Sequence, residues 1–88
     1  MNPTTSRIRQ IAATIRARRT GVHLTATAVA SLAGVSRRLL VEVEGAKRPN
    51  VGLSALIRIL DVLGLDLDVS NRGLPGTRDT RGRRRQDV

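Results

Sequence analysis

The sequence predicts an all-α fold of four short helices followed by one β-strand, and three observations carry that prediction. Apolar residues recur at helical spacing in four segments. Gly34 and Ser36 break the chain between the second and third of them. Leu65-Asp66-Leu67-Asp68-Val69 then alternates with the period of a strand.

The first helix is expected from Thr5 to Thr20, because Ile8, Ile11, Ala12 and Ile15 make one apolar face. Arg7 and Arg9 sit in its first turns, where the helix dipole disfavours positive charge. A nearby phosphate would offset that, and plain solvation explains it as well. Gly21-Val22-His23 reads as a turn. His23 is the sole histidine, with no Cys, Asp or Glu at metal-ligand spacing, so it reads as a turn residue. Thr25 is placed to cap a second helix from Ala26 to about Leu32.

Gly34 suits the left-handed conformation that ends a helix, and Ser36 can cap the next one with its hydroxyl. That third helix runs from Arg37 to Glu44. At about 100° per residue, Leu40 and Val43 share a face with Glu44 at its border. Arg38 and Glu42 lie opposite, and Arg37 stands free at the N-terminal end. Gly45 ends the helix, and Lys47-Arg48-Pro49-Asn50 is a basic loop.

The fourth helix spans about Leu53 to Leu63, with Leu53, Leu56, Ile57, Leu60 and Leu63 as its inner face. Ile59 and Val62 are apolar outside that stripe, which suggests a second buried surface and hence a second copy of the chain. The 65–69 strand points the same way. A lone strand has unpaired edges, and the chain offers no second strand. Pairing with its own copy would put Leu65, Leu67 and Val69 against the helices; a loose loop is the alternative. From Ser70 the composition shifts to Asn, Arg, Gly, Pro and Thr, which cannot bury enough apolar area to fold. The expected organisation is a flexible N-terminus over 1–4, a folded domain over 5–70, and a disordered basic tail over 71–88. The Arg83-Arg84-Arg85 run adds nonspecific attraction to DNA or a partner, or is an inert solvated tail.

The charge layout narrows the function. Net charge is +9 over 88 residues. Residues 1–20 hold five Arg and no acid, and residues 71–88 hold six Arg against two Asp. The balanced middle is split: Arg37, Arg38, Lys47 and Arg48 come first, Asp61, Asp66 and Asp68 later. A basic end of this kind is the footprint of a polyanion partner; a merely solvated surface is the bland alternative. The chain has no Phe, Tyr or Trp, and so no platform for stacking unpaired bases, which favours duplex DNA over single-stranded RNA. It has no Cys, no long apolar run, and no apolar leader in its first residues. A cytoplasmic location is expected. No nucleophile-base set, paired carboxylates or metal cluster stands out, so neither an enzyme nor a cofactor is expected.

Two short helices across a Gly-containing turn are a helix-turn-helix, which places its second helix in the DNA major groove. Here the chain resembles the family of phage Cro and phage repressors, also called the XRE family. Arg19, Leu24, Thr25, Val29, Ala30, Ala33, Gly34, Val35, Ser36 and Glu44 hold the places of that pattern, over roughly residues 5 to 65. The resemblance implies a small λ-repressor-like domain. It also implies a structural ion pair between Arg19 and Glu44. Ala26 departs from it, since the family often has a Gln there that bridges a backbone phosphate and the recognition helix. After Leu63-Gly64, the LDLDV segment and the helix before it resemble HipB-type antitoxins, short repressors whose last helix runs into a strand paired across a homodimer. That implies repression of the protein's own operon and a kinase-like toxin as partner.

The readings converge on a homodimeric repressor of palindromic operator DNA. Arg37, Arg38 and Glu42 are the candidates for reading bases, and Leu39 for touching a thymine methyl. Glu42 can equally pair with Arg38 across one turn. Thr25, Ser36, Lys47 and Arg48 are the candidates for binding phosphates, with pure capping the alternative for Thr25. Ile59, Val62, Leu65, Leu67 and Val69 are the candidate dimer interface. Two alternatives remain: a stand-alone or phage-type regulator without a toxin, and an architectural nucleic-acid-binding protein that uses only its basic surface.

Overall fold

A computed structural model of the chain describes residues 2–73. Four helices follow in order: α1 (Pro3–Gly21), α2 (Ala26–Ala33), α3 (Arg37–Glu44) and α4 (Leu53–Val62). The helix α1 starts two residues before the expected Thr5. Asn2 caps it, its Oδ1 accepting from the Thr5 N–H at 2.8 Å, and Pro3 opens the first turn. An Asn cap followed by Pro is a strong start signal, because Pro has no N–H to leave unpaired there and its φ is already helical.

All four helices end in the same hydrogen-bond pattern. The residues just past them, His23, Gly34, Ala46 and Gly64, take φ of 62°, 71°, 57° and 68°. Each donates its N–H to the carbonyl three residues back, and the next residue donates to the carbonyl five back. This satisfies the last carbonyls without side chains. Gly34 fills its place as expected. Gly45 closes α3 with an ordinary φ of −87°, and the left-handed position falls on Ala46. His23 is such a turn residue too.

The core is small. Ile15, Val29, Leu40 and Ile59, one from each helix, are fully buried, and Ala30, Ala33, Val43, Leu60 and Leu63 complete the cluster. Two arginines lock the helices together through backbone carbonyls left free at helix ends. Arg58 Nε donates to Ala33 O at 3.0 Å, and Arg18 Nε to Leu63 O at 2.9 Å.

The rotation of α4 differs from the expectation. Ile59, expected on an outer surface facing a second copy, is fully buried in its own chain, so it has no area left to offer a partner. Val62 is half-buried against the same core. Leu53 and Ile57, expected inside, are 62% and 40% exposed. The stripe 56–59–60–63 has the same helical spacing as the expected one, so periodicity alone allows both. Arg58 of the same helix is tied to the end of α2, while Ile59 joins the core and Val62 packs against it.

Among the described residues there is no β-strand, and residues 65–73 follow α4 without regular structure. Leu65 packs on the core, and Leu67 lines a groove with Gln10, Ile11 and Thr14 of α1. Val69, expected to face the helices, is 91% exposed. Among the described residues no strand offers an edge to hold it there. The Arg83–Arg85 run and the rest of 74–88 lie outside the described residues.

Candidate nucleic-acid interface

The helix α3 owes its orientation to its two ends. At the start, Ser36 Oγ accepts from the Leu39 N–H at 3.0 Å, as Thr25 Oγ1 does from Ala28 at the start of α2. Both hydroxyls are therefore caps, and each keeps one O–H free to donate outward. At the other end, Glu44 is gripped by Arg19 of α1. Arg19 Nε donates to Oε2 at 2.6 Å and Nη2 to Oε1 at 2.9 Å, while Nη1 donates to Leu24 O at 2.9 Å. The two side chains are 15% and 7% exposed. Arg19 thus ties α1, the turn after it and α3 into one frame. The hydrogen bonds that Arg19 donates to Glu44 raise its pKa further, against the opposing pull of burial.

With Leu40 and Val43 buried, the opposite side of α3 faces outward. Arg37 and Arg38 are exposed at its N-terminal end. Glu42 is not free beside them. Its Oε1 accepts from Arg48 Nη2 at 2.7 Å and Nε at 2.9 Å, and its Oε2 from Arg38 Nε at 3.3 Å. These hydrogen bonds, Arg48 first and Arg38 next, hold the Glu42 carboxyl below its ordinary 4.5. The pairing with Arg48 joins the 45–50 loop to α3, a link that sequence spacing did not reveal. Arg48 is therefore oriented by Glu42, while Lys47 stays exposed with no ion pair among the described residues.

Leu39 sits differently from its expected role. It is half-buried, with part of its side chain packed against the core. Val41, not singled out by sequence, is 45% exposed on the outer side. It lines a groove with Arg16, Ala26, Arg37 and Lys47. Arg16 was also missed. Its signal was its spacing: three residues before Arg19, it lies on the side of α1 that faces α3. Ala26 forms part of that groove with no long side chain to fill it.

The model of the helix-turn-helix domain matches residues 10–72, which takes in most of α1, the other three helices and the segment after them. The chain belongs to the helix-turn-helix domain family. No curated protein matches it. In this helix-turn-helix protein, α2 and α3 are the two crossed helices, Gly34–Ser36 is the turn, and α3 is the helix in the recognition position. Membership points to DNA as the partner of the exposed cationic face. Among the described residues, no cluster of three or more His, Cys, Asp or Glu is placed to hold a metal ion. No helix among them is long and apolar enough to cross a membrane.

Proposed function

We propose that the protein is a cytoplasmic, homodimeric transcriptional repressor that binds palindromic operator DNA through α3. The carrying observation is the exposure of Arg37 and Arg38 at the N-terminal end of a helix that Arg19–Glu44 and Ser36 hold in place. Arginine matches the two acceptors on the guanine edge in the major groove. Lys47 and the oriented Arg48 flank the same helix and suit backbone phosphates. No residue is assigned a catalytic role.

The proposed dimer uses the side away from this face. Ile57, Leu67 and Val69 are exposed apolar residues available to it, and in this reading the 65–69 segment gains a strand partner from the same segment of a second copy. Two recognition helices about one DNA turn, roughly 34 Å, apart would then meet the two half-sites. The likeness of 63–69 to HipB-type antitoxins extends the proposal to a kinase-like toxin as a second protein partner, with the repressed operon encoding both.

The test is a footprint of the full chain on the DNA upstream of its own gene, with anisotropy measured on that duplex and on a shuffled one. Protection of an inverted repeat and a preference of at least ~10³-fold for it support the reading. Equal affinity for both duplexes overturns it in favour of architectural binding. Co-purification with the product of an adjacent kinase-like gene supports the antitoxin role, and the lack of such a gene removes it.

A further inference from the structure

Val41 is an anomaly on α3. It is β-branched, which lowers helix propensity, and it is 45% exposed, so burial gives it little in return. Its position is central to the outward face. At about 100° per residue it falls about 40° from Arg37 and about 60° from Arg38, between the two. Its surroundings are cationic. Arg16, Arg37 and Lys47 line the same groove, are exposed, and have no ion pair among the described residues. The carboxylates of Glu42 and Glu44 also border that groove, but both are already paired with arginines. The result is one apolar side chain ringed by free positive charge.

A surface of that kind calls for a polyanion that presents an apolar group between its phosphates. In the major groove of DNA that group is the C5-methyl of thymine. We propose that Val41 reads a thymine in each half-site by packing on its C5-methyl group, and so sets part of the sequence preference of α3. Leu39, the other apolar candidate on this helix, is packed on the core. The inference rests on the operator-binding reading above.

The probe is the duplex that the full chain enriches from a randomised pool, remade with each thymine replaced singly by deoxyuridine, which lacks only the methyl. Binding of the natural chain should fall about fourfold at one position per half-site, the worth of one buried carbon. Replacing both symmetric positions should cost about fifteenfold. Val41→Ala should bind the all-thymine duplex more weakly by a similar factor, and should not distinguish deoxyuridine from thymine at those positions. Because Ala is the better helix former, this exposed variant should melt no lower than the natural chain. If no thymine is sensitive, or if the sensitive thymine costs Val41→Ala as much as the natural chain, the inference is overturned and another residue reads the methyl. A pool that enriches no sequence overturns the operator reading itself, a separate and recognisable outcome.

Discussion

Removing the Glu44 carboxylate should destabilise the fold by breaking the tie between α1 and α3. In Glu44→Ala, Arg19 keeps its bond to Leu24 O but loses both bonds to the carboxylate. Its charge then sits uncompensated at a site where only 15% of the side chain meets water. Loss of one partner of a buried pair costs roughly 3–5 kcal/mol. The surviving bond and the residual exposure place this case near the lower end, about 3 kcal/mol. At about 4–8 °C per kcal/mol for a domain of this size, the melting temperature should fall by about 12–24 °C. Glu44→Gln keeps one acceptor for Arg19 Nε but points its amide toward Nη2, so it should fall between the two. Thermal unfolding followed by circular dichroism measures this, and the Arg19→Ala, Glu44→Ala double variant isolates the coupling. A Glu44→Ala melting point within about 2 °C of the natural chain, far inside the range above, would refute the argument that this pair holds α3 to α1.

Four further outcomes are expected. Ala46→Gly should stabilise the protein by about 0.5–1 kcal/mol, since it relieves a left-handed cost of roughly 1–2 kcal/mol and adds about 0.5–1 kcal/mol of chain entropy to lose; a lower melting temperature contradicts it. Ile59→Ala should cost about 2–5 kcal/mol in thermal unfolding at any protein concentration, whereas Ile57→Ser should shift sedimentation toward monomer with little effect on the monomer fold. Glu42 has its pKa lowered by Arg48 and Arg38, so its contribution to stability is present above its ordinary 4.5 and is lost as pH falls through the lower folded value; the melting difference between the natural chain and Glu42→Gln should therefore close on acidification, and a gap that widens there reverses the sign. Lys47→Ala should weaken binding to all duplexes evenly and flatten the dependence of log affinity on log salt by about one; an unchanged slope removes Lys47 from the phosphate contacts.

Much of the fold was legible because its signals are local. A Ser36 hydroxyl capping a helix three residues on, and a glycine at 34 turning left-handed, act over distances the chain spells out in order. So α3 runs from Arg37 to Glu44 as its caps predict, and α2 and α4 lie within a residue of their expected ends. The same local rules, applied to Asn2 and Pro3, account for the earlier start of α1. The basic face was legible for a similar reason, because charge needs no partner to be counted.

Tertiary contacts decided the rest. In α4 two apolar stripes share Leu56, Leu60 and Leu63, and packing on the shared core, with Arg58 reaching Ala33, 25 residues away in sequence, takes the one that buries Ile59. On α3, Leu39 and Val41 are two apolar residues close together, and their spacing does not say which one the core takes. Glu42 could be seen to reach Arg38 one turn away, but its grip on Arg48 depends on how the 45–50 loop folds back. Helix caps and turns form from hydrogen bonds within five residues, so residue order determines them. Which side of a helix is buried depends on the other helices that compete for its apolar surface, and that competition is resolved only when all four close on one core.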